Sequence, residues 1–298
     1  MNITIIGGGA IGLLTAVYLN KQGHFVKIVT RTDRQACHIA SEGLSCQSAG
    51  LLLKSEPAVE AASEFKGGQE DLIIVTLKQT QIDFFLEWAK EKVPSPIPLL
   101  FLQNGMGHIE KASGYLEHPL LSGVVTHGAL KKSDTAVRHT GAGQIIVGGE
   151  GFLKKSLNLL LTDDKFFPVI WNSEIELVMK RKLLVNAVVN PLTALYQVNN
   201  GQILLNKKLK DLAGKIFNEA VEVLALEKDE WKFVENVIRQ TAENTSSMLA
   251  DRLAKKETEL DAITGYLLNL GREKGISCEH ILKIHKELKK VELEDSYD

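Results

Sequence analysis

Long apolar runs are missing from the 298-residue sequence: residues 99–102 and 183–185 are typical of what it has, far short of the roughly 20 residues a helix needs to cross a bilayer. A transmembrane reading therefore fails. An excess of one charge is missing too. Lys+Arg number 35 against 37 for Asp+Glu, a formal net charge of -2, so no overall cationic field draws the chain onto nucleic acid or an anionic membrane. Cysteine is scarce. Cys37, Cys46 and Cys278 make an odd set without CxxC spacing, which suits a reducing compartment better than a disulfide scaffold. The eight histidines are scattered without HxxxH or Cys/His ligand spacing, and no metal site is expected. A G-x-x-x-x-G-K-[ST] phosphate loop is also lacking, as is any repeat of about 20 to 50 residues. The opening MNITIIGGG reaches a strand and a glycine turn at once, with no charged and apolar leader ahead of it. The expected location is the cytoplasm.

What is present is enough apolar material, 44% of residues, to exclude disorder and to fill two domains. Up to about residue 170 short β-branched runs alternate with helical stretches, the pattern of a parallel sheet with crossover helices. Strands are expected at 2–6, 25–30, 72–77, 98–103 and 120–125, with the first helix ending at Gly23. Segments 136–139 and 144–147, separated by Thr140, Gly141, Ala142 and Gly143, predict an antiparallel hairpin added to that sheet. From Ser173 the strand signals stop, and helices are expected, broken at 199–201, near 228–230 and around 251–257. Ser173 with Glu176 fits a capping box, which sets the border between a domain of 1–172 and one of 173–298. Residues 292–298 read as an acidic frayed tail. The expected fold class is α/β: an N-terminal Rossmann-type doubly wound sheet plus an all-helical C-terminal domain.

Gly7, Gly9 and Gly12 in GGGAIG, with Ala10 and Ile11 opening the helix, form G-x-G-x-x-G between a strand and a helix. In that setting the glycines allow a tight turn, close approach of a diphosphate and helix–strand packing, and the diphosphate sits at the helix N-terminus. The second strand ends at Arg31 rather than at a carboxylate. A guanidinium there suits a 2′-phosphate and points to NADP(H), with Asp33 two residues on as the counter-indication. Lys78 follows the strand ending in TL, and Asn104-Gly105 follows PLLFLQ, both at carboxyl ends of strands where ligands of open parallel sheets bind. An exposed lysine and an ordinary Asn-Gly turn are the plain alternatives.

Lys182, Asn186 and Asn190 lie at i, i+4, i+8 in a segment otherwise rich in Leu, Val and Ala, which makes one polar stripe on a largely buried helix. An ammonium in such surroundings is costly unless met by a partner, and its pKa is pulled toward neutrality; such a lysine is suited to giving up a proton. Asn190 before Pro191 also reads as an N-cap followed by an N1 proline. Asn244 and Ser247 are placed one helical turn apart. Glu259, after a candidate N-cap Thr258, is open to two readings, a first-turn carboxylate favoured by the helix dipole or a catalytic one.

Together GGGAIG, TLK at 76–78, QNGMG at 103–107, THGA at 126–129, KLLVNAVVNPLTAL at 182–195, NTSSML and TELDAITGYLL resemble the ketopantoate reductase family over most of the chain. The resemblance implies reduction of 2-dehydropantoate to (R)-pantoate with hydride from NADPH, a step of pantothenate and coenzyme A synthesis. It implies Lys182 as the general acid and Glu259 as a catalytic group that bonds and orients the substrate. Asn104 would hold the cofactor near the carbonyl and touch the substrate, and Asn186, Asn190, Asn244 and Ser247 would position the substrate's hydroxyl and carboxylate. Arg31 and Lys78 would hold the 2′-phosphate, Leu77 and Gln81 would lie beside the adenine, and Ala129 would be on the cofactor's side. The ammonium of Lys182 is expected to face the nicotinamide ring. Rival readings are an NADPH-dependent reductase of another branched 2-oxo acid and a dinucleotide-binding regulator without catalysis. The expected partner is a small 2-oxo acid, with neither nucleic acid nor membrane, and the helical half offers surfaces for a homodimer.

Overall fold

In the computed structural model, which describes residues 1–297 and their side chains through Glu294, the alternating half of the sequence forms two sheets. The elements run β1 (Asn2–Ile6), α1 (Ala10–Lys21), β2 (Phe25–Thr30), α2 (Asp33–Glu42), β3 (Leu44–Ser48), β4 (Leu51–Ser55), β5 (Ala58–Ala61), β6 (Leu72–Val75), α3 (Ile82–Lys92), β7 (Leu99–Phe101), α4 (His108–Ser113), β8 (Leu120–Val125), β9 (Gly128–Lys131), β10 (Ala136–Gly141), β11 (Ile145–Gly149) and β12 (Val169–Trp171). The larger sheet has the order β12-β11-β8-β7-β6-β1-β2-β5, and the smaller β4-β3-β10-β9. In the larger sheet all neighbours run parallel except β8 and β11. The strand order reverses at β1, between β2 and β6, which places the ligand crevice of a doubly wound sheet at the carboxyl end of β1.

Helix α1 explains why the smaller sheet exists. It is buried at every residue from Gly12 to Leu19, and a helix apolar all round has to be covered all round. One side packs on β1 and β2, the other on β3, β4, β9 and β10. Its Tyr18 stacks on Phe167 at 4.6 Å between ring centroids, and its hydroxyl lies 3.0 Å from both Ser48 Oγ and His139 Nδ1.

The expected hairpin between 136–139 and 144–147 does not form. β10 belongs to the smaller sheet and β11 to the larger. The hairpin is a longer one, β8–β9 against β10–β11, whose tip is at Lys132 to Thr135 (Lys132 N–H to Ala136 O, 2.8 Å). What read as its turn is a bend in the ribbon, where Gly143 lies so close to Thr126 and His127 that a Cβ would come within 2.6 Å of their backbone. Strands β3, β4 and β5 lie outside the expected spans: Ser and Gln interrupt β3, β4 is three leucines before Lys54 and Ser55, and β5 is only four residues long; Ala49 and Gly50, both at positive φ, make the tight turn between β3 and β4.

Two compact units divide the chain, the first made of Met1–Gln103 and His108–Glu176, the second of Asn104–Gly107 and the residues from Leu177 on. Among its described residues the regular elements of the second are all helical: α5 (Ile175–Tyr196, beginning in the first unit), α6 (Gln202–Leu205), α7 (Lys207–Leu224), α8 (Glu230–Gln240), α9 (Ser247–Leu253), α10 (Tyr266–Lys274) and α11 (Glu279–Tyr297), with a π-helical turn at Asp261–Gly265 leading into α10. Leu209, Ala213, Ile216, Phe217, Ala220 and Leu224 give α7 one buried face, and it packs on Ile281, Ile284 and Leu288 of α11 among others. Three expectations are corrected. Helix α5 starts at Ile175, too late for Ser173 to be its N-cap, and Asn172 Oδ1 accepts from the Glu174 N–H instead at 2.7 Å. Pro191 lies inside α5 rather than at a helix start; Thr193 just beyond it donates to the carbonyls of Val189 and Asn190 at 2.9 and 3.0 Å. The acidic tail is the last part of α11 through Tyr297, with only Asp298 outside the described residues.

His108 and His127 are 1% and 7% exposed, and burial pulls both imidazoles from 6.5 to about 4, with His139 adding to the effect on His127. Unfolding exposes them to water, so between pH 6.5 and 4 the unfolded chain binds more protons and stability falls as pH falls. The expected outcome is a loss of up to about 1.4 kcal/mol per pH unit for each histidine over that window. His108→Phe should flatten the acid limb of thermal-melt curves; an unchanged slope would contradict the assignment.

Candidate active site

The first unit builds a crevice at the ends of β1, β2 and β6. Thr76, just past β6, donates its hydroxyl to the carbonyls of Ile6 and Gly7 at 3.0 and 3.1 Å, tying down the turn that follows β1. At Gly12 a Cβ would be 1.9 Å from Gly7 O, so only glycine lets α1 start this close to the strand. Gly9 is the N-cap of α1 and a Cβ there would meet nothing within 4 Å, which leaves the helix N-terminus approachable.

Beside the turn is a cavity of about 340 Å³. Gly7, Gly9, Arg31, Leu77, Lys78 and Gln81 all line it, together with the aromatic rings of Phe84, Phe85 and Trp88. Among the described residues that line it none is acidic. Asp33 is outside the lining, at the first position of α2, where it accepts from Ser63 Oγ at 3.4 Å. Arg31 and Lys78 are exposed cations, and Gln81 Oε1 accepts from the Lys78 N–H at 3.2 Å. Helix dipole, open backbone and two cations can hold a phosphorylated dinucleotide. Ala10 and Ile11 form the first turn of α1, and Ala129 sits in β9 opposite His139, packed on the core and away from the cavity lining.

The second unit gathers the other polar residues. Leu183, Leu184, Ala187, Val188 and Val189 of α5 are buried, while Lys182 and Asn186 keep partly accessible surface and Asn190, further along the stripe, is 6% exposed. Removal of water from around the Lys182 ammonium lowers its pKa from 10.5 to about 8, and the negative charge of Glu259 opposes the shift. Glu259 precedes the π-helical turn; its Oε2 accepts from Asn104 Nδ2 at 2.8 Å. Asn104 is brought there by a turn in which Gly105 takes φ +84° and a Cβ would be 2.7 Å from Ala262 O. Thr258 Oγ1 accepts from the Leu260 N–H at 3.2 Å, and Glu259 stands just before the first helical residue, its carbonyl accepting from the Ile263 N–H at 3.1 Å, so it is at the cap rather than in the first turn.

Asn244 and Ser247 are both exposed and do not share a helix. Asn244 lies in the connection before α9, its carbonyl accepting from the Asn200 N–H at 3.1 Å, and Ser247 is the first residue of α9. Ser246, which sequence reasoning passed over, is the N-cap: its Oγ accepts from Leu249 N–H at 3.1 Å and lies 2.7 Å from Thr193 Oγ1 on α5. The pattern S-S-M-L held that signal, since a serine before an apolar helix start is a cap. Among the described residues no group of His, Cys, Asp and Glu could hold a metal ion, and no helix is long and apolar enough to cross a membrane.

By fold, this is a Rossmann-type chain with an all-helical second unit. The family model described as Ketopantoate reductase PanE/ApbA matches residues 3–150, and that described as Ketopantoate reductase PanE/ApbA C terminal matches residues 174–292. The chain belongs to the ketopantoate reductase family. The 2-dehydropantoate 2-reductase of Bacillus subtilis (strain 168) is 38% identical over 299 residues, 98% of each chain, and that of Vibrio cholerae is 32% identical, again over 98% of each. A crystal structure of the probable 2-dehydropantoate 2-reductase of Bacillus subtilis matches with a TM-score of 0.88 at 36% identity, covering 97% of this chain and 99% of that one. A ternary structure of D-mandelate dehydrogenase with NADH and anilino(oxo)acetate also gives 0.88 over 99% of each chain, at 20% identity, a likeness of fold alone.

Proposed function

We propose that the chain reduces 2-dehydropantoate to (R)-pantoate with NADPH, serving pantothenate and coenzyme A synthesis. The observation that carries this reading within the family is Lys182, an ammonium brought down to about 8 by burial and kept charged by Glu259. NADPH, when bound, supplies the hydride. Gly7, Gly9, Gly12 and the first turn of α1 at Ala10 and Ile11 take its diphosphate. Arg31 and Lys78 take the 2′-phosphate, and Leu77 and Gln81 flank the adenine. The absence of an acidic residue among the described lining residues supports NADPH over NADH, because a carboxylate would repel the extra phosphate. Asn104 completes the cofactor side.

On the substrate side Asn186, Asn190, Asn244 and Ser247 hold the hydroxyl and carboxylate of the 2-oxo acid. Negative charge develops on its ketone oxygen during reduction, and the Lys182 ammonium stabilises that charge and delivers a proton to the oxygen, becoming a neutral amine. Water then returns the proton to Lys182. Glu259 has two tasks: it raises the proton affinity of Lys182 against the cost of burial, and it orients Asn104 through their 2.8 Å bond.

The reading is tested by following NADPH oxidation with 2-dehydropantoate and with 2-oxoisovalerate, where higher kcat/KM for the former is expected; a reversed preference would reassign the substrate. Lys182→Ala should lower kcat by roughly 100-fold or more, and the basic limb of kcat/KM for reduction should break near 8, the pKa of Lys182. Glu259→Gln should move that break to lower pH by removing the charge that favours the ammonium. A mutant at position 182 with parental kcat would remove Lys182 from the mechanism. Arg31→Ala should raise the KM for NADPH about tenfold or more, the scale of a charge-assisted bond, and leave that for NADH nearly unchanged; equal losses would contradict the 2′-phosphate assignment.

A further inference from the structure

Gly8 occupies a position the dinucleotide fingerprint leaves unspecified, and a side chain there would have to displace the amide of Gln35. A Cβ on it would be 2.6 Å from both Nε2 and Oε1 of Gln35. The close approach serves a bond: Gln35 Nε2 donates to Gly8 O at 2.9 Å, and Lys131 Nζ donates to the same oxygen at 3.0 Å. One donor comes from α2 and the other from the end of β9. Asp134, in the hairpin tip, holds both in place. Its carbonyl accepts the second Gln35 N–H at 3.1 Å, and its Oδ1 is 3.4 Å from Lys131 Nζ. Its Oδ2 meets His38 Nδ1 at 3.1 Å and Arg34 Nη2 at 3.4 Å. Gln35 is only 8% exposed.

A trans peptide unit points its carbonyl and its N–H in opposite directions, and the bond joining Gly8 to Gly9 is trans. Two donors on the Gly8 oxygen therefore aim the Gly9 N–H away from Gln35 and Lys131. Rotation of that peptide would turn a carbonyl, with its partial negative charge, toward any anion at the start of α1. We infer that Gln35 and Lys131 are positioning residues for the cofactor diphosphate, clamping the Gly8 carbonyl so that the Gly9 N–H and the α1 N-terminus face the phosphates. The inference rests on the proposed uptake of nicotinamide dinucleotide by this unit. Lys131 works here as a clamp, its charge already met by Asp134.

The test is calorimetric titration of the purified full chain with NADPH and with adenosine 2′-monophosphate, which keeps the 2′-phosphate and the adenine but has no phosphate on its 5′ carbon. Gln35→Leu and Lys131→Met should each weaken NADPH about tenfold, the scale of one lost hydrogen bond to a charged group, and change adenosine 2′-monophosphate affinity less than about twofold. Lys131→Arg should bind NADPH close to the parent protein. Parental NADPH affinity in both variants would overturn the inference. Equal losses for the two ligands would overturn it in favour of general damage to the unit, and a loss confined to Lys131→Met would do so in favour of a direct charge effect. A parent protein that binds neither ligand would instead refute the cofactor reading, a result separable from the others because it needs no variant.

Discussion

A lysine held against its preference for water is the constraint around which the helical unit is arranged. Helix α5 buries most of its surface in aliphatic packing, and a fully hydrated ammonium cannot persist in that setting. Glu259 limits the consequence by supplying opposite charge, so that the pKa settles at about 8 rather than falling further. For the proton donor proposed above, both effects are needed at neutral pH. Without burial the ammonium would hold its proton too tightly to donate well, and without Glu259 it would lose part of its charge before a substrate arrived. The π-helical turn after Glu259 and the tight turn at Gly105 matter because they bring Asn104 and the carboxylate to 2.8 Å.

Control of backbone direction plays the same part in the sheet unit that control of protonation plays in the helical one. Thr76 holds the carbonyls of Ile6 and Gly7, while Gln35 and Lys131 hold that of Gly8. Three consecutive carbonyls are thereby engaged by side chains. Oxygen atoms so engaged are not available to repel an anion, and the amide groups at the start of α1 are left to attract one. The second sheet has a function in this arrangement beyond covering α1, since its hairpin tip carries Lys131 and Asp134 to the glycine turn.

Local pattern made the frame of both units legible. β1, β2 and β8 coincide with their expected spans, because β-branched runs flanked by turns leave little choice. The all-helical second unit was equally visible from periodicity. What escaped the sequence depends on distant partners. β3 mixes polar and apolar residues, β4 is short with Leu51 and Leu52 exposed, and the two pair as strands in the sheet that covers α1. The glycine-rich stretch before Gln144 resembles a hairpin turn, yet it is a bend between two sheets, and the short polar segment Lys132 to Thr135 makes the turn. At the candidate site, residue types in the fingerprint and in the α5 stripe could be named from spacing. The roles of Gln35 and Lys131 could not, nor could the bond between Ser246 and Thr193, since each of these contacts joins residues far apart in the chain.

Asn104 shows why a contiguous motif can still be misread as a purely local feature. Q-N-G at the end of a strand is an ordinary turn by composition, and the backbone does turn there, with Gly105 at positive φ. Yet residues Asn104–Gly107 leave the unit that precedes and follows them and pack with the helical one. The reason lies in Gly105, whose missing side chain admits the carbonyl of Ala262, and in the amide of Asn104, which finds a carboxylate partner in Glu259. A larger residue at 105 would push the turn off the π-helical segment, and the carboxylate would lose the neighbour that orients it. The conformational freedom of one glycine thus bears on the Glu259 carboxylate through Asn104, and the charge of that carboxylate in turn favours the Lys182 ammonium.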